Sequence, residues 1–442
     1  MNKYGIIFAT NSLGAFSLKN SLGMPWKHNS YDMKIFKSIT INNTVVMGRK
    51  TMESLKNPLP DRKNLVITSQ EPLSGFIKTS FNEIKNTDHG IVWFIGGRNI
   101  IDECIDTFPI DVIVHNEIIE DINQDVEYYF LPKDDISKSL PNKYSINLMN
   151  NLKCHIYGKK INSYLDSQYL DIMVKILNSD EVLGRNGVVK SITDEPISIT
   201  ADFEDGFPII QSKFTWMKGV KSELDLFMNG KTDSKILESQ GNKIWVGNTS
   251  KEFIESRNLP YREGDMGPMY GFNWRHFGAE YKGCDLNYDG YDQYKNLIEG
   301  IIKDPNSRRH LLTTYDPSSA DKGVLYPCHG LITQFFIRND RISLKTYQRS
   351  ADWFLGVPFN ISSYALLLKR VIDEVNSKTN CKYLPGKISI IFGDIHLYKS
   401  HYISSIENIV YSNLQEYKKY ELDENELPIN YKARRIQAAM VV

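Results

Sequence analysis

Short hydrophobic runs alternate with amphipathic stretches along the first part of the chain. The runs are rich in β-branched and aromatic side chains, and the buried strands that they predict lie at residues 4–9, 44–47, 64–68 and 91–95. Between the first two runs, residues 31–39 follow Asn29 and Ser30, which are good helix N-caps, and predict a helix. Strands that alternate with helices indicate an α/β sheet.

The pattern changes in the second part of the chain. Its predicted elements are a helix at residues 169–177, strands at 207–210 and 388–392, and a core helix from Ser362 onwards. Residues 159–167 are polar and short, which indicates a brief connector. Because 442 residues exceed one ordinary core, we predict two domains, residues 1–160 and 161–442.

One carboxylate lies on the apolar face of the first predicted helix. Asp32 and Phe36 are four residues apart and therefore share a face. A carboxylate in that position is either a solvated edge residue or a buried acid that holds a ligand. The pattern leaves both interpretations open.

Glycines and cations follow three of the predicted strands. The three strand ends continue as Gly48-Arg49-Lys50-Thr51, as Ser69 and as Gly96-Gly97-Arg98. Free N–H groups at helix starts, together with these cations, predict an anion site where neighbouring strands end. Each strand end taken singly is also typical of a tight turn, and the glycines do not form a full dinucleotide-binding fingerprint.

A thiol and a guanidinium stand out in the second part. Cys328 lies between Pro327 and His329, and Arg349 follows in a polar run. A thiol with an ordinary pKa of about 8.5 is mostly protonated at neutral pH. A nearby arginine would lower the pKa of Cys328 and could also hold an oxyanion. We therefore predict a nucleophile beside an anion site, against the alternative of a structural cysteine and a surface arginine.

The overall composition argues against several classes of protein. Basic and acidic residues both number 53, which argues against nucleic acid or an anionic membrane as the main partner. The five cysteines show no CxxC spacing and predict neither a metal site nor disulfides. No apolar run reaches about 18 residues, and the N-terminus has the pattern of a strand and not of a signal peptide. We expect a cytoplasmic protein that binds neither nucleic acid nor membranes.

Several motifs of the second part closely resemble thymidylate synthase over residues 165–442. They are Pro327-Cys328-His329, Gln348-Arg349-Ser350-x-Asp352, Gly356-x-Pro358-Phe359-Asn360, Asp304-Pro305-x-Ser307-Arg308-Arg309 and Gly393-Asp394-x-His396-Leu397-Tyr398. The resemblance implies an α+β domain in which Cys328 attacks C6 of dUMP. The ring would then take a one-carbon unit and a hydride from 5,10-methylenetetrahydrofolate, which yields dTMP and dihydrofolate.

The same resemblance implies roles for residues outside these motifs. Glu223 would order water and move protons, although a lone helix glutamate more often lies at the surface, and Tyr270 would be a further catalytic residue. Trp245 and Asn248 would line the folate site. The apolar tail, Met440-Val441-Val442, would fold over the bound folate.

The resemblance also implies a homodimer that forms through the synthase domain. Arg308 and Arg309 would cross the interface to hold the phosphate of the partner's dUMP, so each site would need both chains. The other dUMP-binding residues that it implies are Arg185, His329, Gln348, Arg349, Ser350, Asp352, Asn360, His396 and Tyr398.

Residues 1–158 resemble dihydrofolate reductase. The motifs are Met24-Pro25-Trp26, Asp32 with Phe36, Val46-Met47-Gly48-Arg49-Lys50-Thr51, Pro58-Leu59-Pro60-x-Arg62 and Ile95-Gly96-Gly97. The resemblance implies hydride transfer from NADPH to dihydrofolate. Asp32 would support protonation of the pterin, Phe36 would pack on the folate and Arg62 would pair with its glutamate carboxylate. The residues that it implies along NADPH are Gly48, Arg49, Lys50, Thr51, Ser69, Gly96, Gly97 and Arg98.

Three departures from the reductase pattern leave an alternative open. Ile101 stands where the family usually has a tyrosine beside the nicotinamide, and Asn116 stands where it usually has a threonine near the acid. Residues 13–23 form a longer loop without the family's Gly-Ile-Gly. A slower reductase, or a domain that only binds folate, is the alternative to a working reductase.

The order of the two parts resembles the fused reductase–synthase enzymes of protists and plants. A pyrimidine hydroxymethylase, which adds water instead of hydride, is the alternative for the second part. Asn360 argues for uracil over cytosine, because an amide both donates and accepts and can pair with N3–H and O4 together.

Overall fold

The computed structural model describes residues 2–20, 22–120, 126–130, 140–149, 151–159 and 161–440. Lys160, at the predicted domain boundary, and Val441 and Val442, in the predicted tail, lie outside these residues. The strands of the first half are β1 (Lys3–Asn11), β2 (Ala15–Leu18), β3 (Thr44–Gly48), β4 (Lys63–Ile67), β5 (Ile77–Thr79), β6 (Ile91–Gly96), β7 (Val112–Ile118), β8 (Tyr128–Phe130), β9 (Asn142–Met149) and β10 (Leu152–Gly158).

Eight of these strands form one mostly parallel sheet in the order β5-β4-β3-β6-β1-β7-β10-β9. β3 lies between β4 and β6 and runs parallel to both, so the three glycine- and hydroxyl-bearing strand ends meet at one edge. β10 runs antiparallel to β7 and β9. The predicted α/β sheet is confirmed.

Four helices flank this sheet: α1 (Ser30–Thr40), α2 (Arg49–Leu55), α3 (Phe81–Asn86) and α4 (Arg98–Thr107). α1 begins where the sequence predicts, because the Asn29 side chain accepts from the N–H groups of Tyr31 and Asp32. α2 and α4 start directly after Gly48 and Gly97, and neither glycine can cap the helix with a side chain. Their first N–H groups are therefore open to a ligand.

Residues 13–23 are not a plain loop, as the sequence pattern suggested. Ala15–Leu18 forms β2, which pairs antiparallel with Tyr128–Phe130 of β8 in a separate two-stranded ribbon. The alternation of apolar and polar residues in β2 is too short to stand out in the sequence, and its partner lies more than a hundred residues away.

The second half of the chain is built on a seven-stranded sheet with helices around it, as expected for an α+β domain. Its strands are β11 (Glu181–Gly184), β12 (Gly187–Ile192), β13 (Ile197–Asp202), β14 (Leu311–Leu312), β15 (Thr333–Arg338), β16 (Arg341–Asp352) and β17 (Leu384–Tyr398). Its helices are α5 (Tyr164–Asn178), α6 (Met217–Met228), α7 (Ser234–Ser239), α8 (Lys251–Ser256), α9 (Gly271–His276), α10 (Gln293–Lys303), α11 (Gly356–Lys378) and α12 (Tyr402–Ser412).

The long helix α11 is the centre of this half. The sheet runs β11-β12-β17-β16-β15-β14, with β13 on the other part of β17, and β16 is parallel to β17. α11 packs against β16 and β17 and also against α6 and α10. The predicted core helix is confirmed, although it begins at Gly356 and not near Ser362.

Three predicted elements of this half differ from the structure. No strand forms at residues 207–210, because the backbone there bonds to the C-terminal region: the Phe207 N–H donates to the Tyr420 carbonyl, and the Ile210 carbonyl accepts from the Tyr431 hydroxyl. The strand predicted at 388–392 continues to Tyr398. α5 begins at Tyr164 behind the Ser163 cap, so the connector is shorter than the sequence suggested.

The two halves share one hydrophobic core. A single cluster of buried side chains includes Ile39, Met47 and Trp93 from the first half and Tyr411 from the second. α12 packs on α1 and on β10, which brings the synthase-like half against the reductase-like sheet. Within the described ranges, no helix combines the length and apolar character needed to cross a membrane.

Candidate active sites

Cys328 lies at a cavity of about 1000 Å³ in the second half. The cysteine sits in the loop before β15, and β16 holds this loop in place because the Arg349 N–H donates to the Cys328 carbonyl at 2.9 Å. Tyr270 contacts the cysteine from behind: its hydroxyl lies 3.4 Å from Sγ and accepts from the Cys328 N–H at 3.2 Å. The thiol is thus fixed at both its backbone and its sulfur.

The pKa of the Cys328 thiol is raised, not lowered as we predicted. Burial is the main cause, and it outweighs the lowering effects of the Tyr270 hydrogen bond and the Arg349 charge. The Arg349 side chain donates instead to the carbonyls of Pro327 and Tyr326. The resting nucleophile is therefore a thiol that must lose its proton during the reaction.

Tyr270 has an unusual backbone conformation for a side chain of its size. Its φ is 40° and its ψ −97°, at the residue before α9. Such conformations persist where the surrounding structure enforces them, and they cluster at functional sites. Burial, with the Cys328 thiol nearby, raises the pKa of the Tyr270 hydroxyl, so it remains a protonated donor.

Glu223 is a buried acid beside this cluster, not a surface glutamate. It lies on α6 with 5% of its surface exposed, and its Oε1 accepts from the Trp245 indole N–H at 2.7 Å. Burial raises the pKa of Glu223 to about 7, and the bond to Trp245 opposes this shift. A carboxyl group with that pKa gains and loses protons readily at neutral pH.

His329 is held as a neutral ring. It stacks on Tyr270 with ring centroids 4.6 Å apart, and its Nδ1 lies 2.8 Å from the Tyr364 hydroxyl. Burial lowers the pKa of His329 to about 4. The sequence analysis missed Tyr364, although it lies four residues after Asn360 on α11 and hence on the same helix face.

Cations and hydroxyls that we predicted for dUMP line the same cavity as Cys328. Arg185 lies at the turn between β11 and β12, Arg349 and Ser350 lie on β16, and His396 and Tyr398 lie on β17. The predicted residues in the cavity wall are Arg185, Asn248, Cys328, Arg349, Ser350, His396 and Tyr398. Alternation along β17 places His396 and Tyr398 on one face, with ring centroids 5.2 Å apart, and His396 Nδ1 lies 2.7 Å from Asp394 Oδ1.

Other predicted dUMP residues lie behind the wall or apart from it. The Asn360 amide is 8% exposed and donates to Gln348 Oε1 at 3.2 Å. Asp352 Oδ1 accepts from the N–H groups of Phe354 and Leu355 and so shapes the turn into α11. Arg308 and Arg309 are not among the residues that line this cavity. Arg309 lines a separate depression, and the Arg308 carbonyl accepts from the Gln334 amide on β15.

The predicted acid of the first half has a direct partner. Asn116 on β7 donates its amide N–H to Asp32 Oδ1 at 2.7 Å, across the helix–sheet boundary. Burial raises the pKa of Asp32, while Asn116 and the nearby His28 oppose that shift. The buried-acid interpretation of Asp32 is therefore favoured, and Asn116 supplies the hydrogen bond that the family's threonine would make. Phe36 lies one turn along α1 and is partly exposed.

Arg62 lies at the C-terminal end of α1. Its guanidinium donates to Thr40 Oγ1 at 2.9 Å, to the Lys37 carbonyl at 3.3 Å and to the Pro60 carbonyl at 2.6 Å. The Thr40 hydroxyl in turn donates to the Phe36 carbonyl. The end of the helix thus fixes the arginine that we predict for the folate carboxylate.

The glycine-bearing strand ends lie side by side at the sheet edge where the sequence predicts an anion site. Gly96 has a φ of 128°, which side chains rarely adopt, and Thr51 Oγ1 lies within 3.7 Å of where a Cβ on Gly97 would stand. With the uncapped starts of α2 and α4, this edge offers backbone donors to phosphate groups. The residues fit the cofactor that the resemblance implies.

The predicted phosphate-binding cations carry other contacts. Arg49 pairs with Glu53 at 2.8 Å, and Arg98 pairs with Asp102 at 3.3 Å, each one turn along its own helix. Lys50 lies 5.9 Å from the Tyr129 ring, and Ser69 is exposed. Ile101 is wholly buried in the hydrophobic core on one side of the sheet.

Comparison with known proteins matches both halves of the chain. The dihydrofolate reductase family model covers residues 6–161, and the thymidylate synthase family model covers residues 167–437. A bifunctional dihydrofolate reductase-thymidylate synthase of Paramecium tetraurelia is 34% identical over 90% of this chain and 88% of its own length. Proteins with the same description from Zea mays and Leishmania major are each 30% identical, over 86% and 89% of this chain and 83% and 86% of their own lengths.

These matches cover both sites in the order in which the structure presents them. The chain therefore belongs to the bifunctional dihydrofolate reductase–thymidylate synthase family, and it both methylates dUMP with 5,10-methylenetetrahydrofolate and reduces the resulting dihydrofolate with NADPH.

Proposed function

We propose that the synthase reaction runs at the Cys328 cavity and the reductase reaction at Asp32. The observation that carries the first assignment is that Cys328 lines the cavity and contacts the buried Tyr270, and that Glu223 is a buried acid. A nucleophile, a fixed hydroxyl donor and an acid with a pKa of about 7 are the groups that a covalent reaction with proton transfers requires.

In the synthase step, Cys328 Sγ passes its proton to the ionised form of Glu223 and bonds to C6 of the uracil ring. The C5–C6 double bond breaks and its electron pair moves to C5 and O4, and the thiolate leaves again when the double bond re-forms in dTMP. The pKa of Glu223 is about 7, so its protonated and its ionised forms are both present at neutral pH. Glu223 can therefore carry protons to and from the ring. 5,10-Methylenetetrahydrofolate supplies the one-carbon unit and the hydride when it is bound. Arg185, Arg349 and Ser350 bind the phosphate, and His396 and Tyr398 bind the sugar. The residues around the base are His329, Gln348, Asp352 and Asn360.

Asn360 and Gln348 form the base-reading pair. The Asn360 amide already donates to Gln348 Oε1, and its own oxygen is left to accept from uracil N3–H. Their position behind the cavity wall supports a role at the inner end of the site, with Trp245 and Asn248 toward the folate.

In the reductase step, Asp32 holds the pterin ring and raises its tendency to take a proton. Asn116 orients the Asp32 carboxyl group, Phe36 packs on the folate and Arg62 binds the glutamate carboxylate. NADPH supplies the hydride when it is bound. Gly48, Thr51, Gly96 and Gly97 accommodate the cofactor backbone, and the nearby Arg49, Lys50, Ser69 and Arg98 bind its phosphates.

We further propose that the chain works as a homodimer through the outer face of the synthase sheet. Apolar side chains are exposed there on neighbouring strands and their connections: Leu311, Ile332, Tyr347 and Ile391. Tyr347 and Ile332 also line the Cys328 cavity, so a chain that covers this face would complete its wall. Neither Arg308 nor Arg309 is among the residues that line the cavity of their own chain, which supports their action in the partner's site.

The domain boundary and the location of the protein are proposals too. We place the boundary between residues 160 and 161, within the short connector before α5. All five cysteines are unpaired, which supports a reducing cytoplasm.

One assay tests the two-site proposal. The chain is given dUMP, 5,10-methylenetetrahydrofolate and NADPH, and dTMP, dihydrofolate and tetrahydrofolate are followed together. We expect dTMP and tetrahydrofolate in equal amounts. Accumulation of dihydrofolate without NADPH oxidation would mean that the first half only binds folate. A hydroxymethylated nucleotide as the product would contradict the reaction proposed for the Cys328 cavity.

Mixed dimers test the shared site. Cys328→Ala and Arg309→Gln chains are each expected to be weak synthases, but their mixture recovers activity, because one site then has both groups. A mixture of Cys328→Ala with Glu223→Gln is the matched control and stays inactive, because both residues belong to the same chain's site. Recovery in the control, or none in the first mixture, contradicts the proposal.

A further inference from the structure

A synthase side chain caps a reductase helix. Tyr411 on α12 donates its hydroxyl to the Ile39 carbonyl of α1 at 2.6 Å, and Asn43 donates to the same hydroxyl at 2.7 Å. The Tyr411 side chain is buried, with 4% of its surface exposed. The last four carbonyl groups of a helix have no partner within the helix, so Tyr411 fills one of these positions from the other half.

The same end of α1 holds Arg62. The Arg62 guanidinium donates to Thr40, the residue next to Ile39, and to the Lys37 carbonyl two residues before it. A shift of this last turn would therefore move the guanidinium. Tyr411 and Arg62 therefore bond to the same helical turn.

Two further side chains hold the Tyr411 ring, one from each half of the chain. The Arg434 guanidinium lies 3.5 Å from the ring centroid and pairs with Glu407 at 2.9 Å. On the reductase side, the Trp93 ring meets Tyr411 edge-on, with centroids 6.3 Å apart. The hydroxyl therefore has a fixed place from which to hold the helix.

We propose that Tyr411 is a positioning residue of the reductase site: it sets the place of Arg62 through the end of α1, and with it the affinity for the glutamate carboxylate of dihydrofolate. The proposal rests on the proposed role of Arg62. It means that a residue of the synthase half contributes to substrate binding in the reductase half, while hydride transfer at Asp32 proceeds without it.

The test compares two substrates in the full-length enzyme. One is dihydrofolate, and the other is a methyl-dihydropterin that lacks the aminobenzoyl-glutamate. In Tyr411→Phe, we expect the KM for dihydrofolate to rise roughly threefold to tenfold, the effect of one lost hydrogen bond. The kcat for dihydrofolate, the KM for the methyl-dihydropterin and the synthase rate stay within about twofold, since one displaced carboxylate contact does not reach the reacting atoms.

Two further variants keep the result interpretable. Tyr417→Phe is the matched control, because its hydroxyl also donates to a carbonyl, that of Ser412, but within the synthase half. It should leave both reductase KM values unchanged. Asn43→Ala keeps Tyr411 but removes the donor to its hydroxyl, together with the Asn43 bonds to the Ile39 and Ile41 carbonyls at the same helix end. It should therefore raise the KM for dihydrofolate at least as much as Tyr411→Phe does.

Arg62→Gln tests the proposed role of Arg62 in folate binding separately from the positioning role of Tyr411. If Arg62→Gln raises the KM only for dihydrofolate and Tyr411→Phe does not, the positioning role of Tyr411 is wrong and the role of Arg62 stands. If Arg62→Gln affects both substrates equally, both ideas fail. An equal rise for both substrates in Tyr411→Phe would mean a general loosening of α1, which also overturns the proposal.

Discussion

The two sites of this chain differ in how much of their machinery is already assembled. In the synthase site, Cys328, Tyr270, Glu223 and Trp245 contact one another in pairs, and burial has shifted the pKa of the thiol and the acid. In the reductase site, Asp32 and Asn116 likewise form a direct hydrogen bond. Arg49 and Arg98, in contrast, are partly exposed and paired with acids on their own helices.

The difference has an energetic meaning. An exposed ion pair one turn apart contributes roughly 0.3–0.5 kcal/mol, so a phosphate can take Arg49 or Arg98 from its carboxylate at little cost. Breaking a buried hydrogen bond costs about 1–3 kcal/mol. The covalent site is therefore preorganised, whereas the cofactor site is assembled in part by its ligand.

The largest expected effect separates the two sites outright. Cys328→Ala should abolish dTMP synthesis, by on the order of 10⁴-fold or more, because Cys328 is the one thiol among the described residues that line the cavity. NADPH-dependent dihydrofolate reduction should remain nearly intact in the same preparation. Equal loss of both activities in a folded variant would contradict the two-site assignment.

Asp32→Asn should give the reverse pattern. We expect reductase activity to fall by roughly 10²–10⁴-fold at neutral pH, with normal dTMP synthesis. Because burial raises the pKa of Asp32, wild-type activity should decline as pH rises through that raised value. The variant should lose least at acid pH, where solvent protonates the pterin, and an unchanged pH–rate profile would exclude Asp32 as the acid group.

Glu223→Gln tests how burial serves the preorganised site. The synthase rate should fall by roughly 10²-fold, and the pH–rate limb near pH 7 should disappear. Stability provides a second readout. The raised pKa means that Glu223 contributes stability below its ordinary value of 4.5 and loses it as pH rises through about 7, so denaturant titrations of the wild type should show this decline and those of the variant should not.

Asn360→Asp addresses base choice within the same site. An ionised carboxylate can only accept, so uracil N3–H would keep a partner, whereas O4 would be left unpaired at a cost of about 1–3 kcal/mol. We expect the wild type to process dUMP and scarcely dCMP, and the variant to narrow or reverse that ratio. Equal turnover of both nucleotides by the wild type would contradict the role of Asn360 in reading the base.

The smallest effect concerns the exposed cations. Arg49→Gln should raise the KM for NADPH by roughly fivefold to tenfold and leave that for NADH within about twofold, if Arg49 binds a phosphate that only NADPH carries. Its thermal midpoint should hardly change, because the Glu53 pair is exposed. A marked loss of stability would show that the cofactor site is more preorganised than its contacts indicate.

The sequence indicated the reacting side chains better than it indicated their burial and packing. Cys328 was proposed because it stands in a short motif with Pro327 and His329. Asp32 was proposed because it lies on the apolar face of a predicted helix, where two interpretations stayed open, and Glu223 was proposed only because the family resemblance places an acid there. The direction of the Cys328 pKa could not be predicted, because it depends on how deeply Tyr270 and the cavity wall bury the thiol. The strand predicted at residues 207–210 was wrong for a similar reason, since its backbone partners, Tyr420 and Tyr431, come from the far end of the chain.

Contacts between the halves are equally invisible in the pattern of residues. Nothing near Ile39 indicates that Tyr411, more than 370 residues later, completes its helix. Asn116 was placed beside Asp32 only because a family resemblance supplied the alignment, and its hydrogen bond confirms that placement. Local motifs thus predicted the reacting groups, while tertiary packing decides their protonation and support.

The core cluster shared by both halves determines which activities a damaging mutation would remove. A substitution at Cys328 or Asp32 removes one enzyme and spares the other. A substitution that unsettles the cluster around Trp93 and Tyr411 should lower the abundance of the whole chain, because quality control in a cell degrades unfolded protein without regard to which half failed. Thymidylate synthesis and folate recycling would then decline in step, and a second gene for one activity could not rescue the cell.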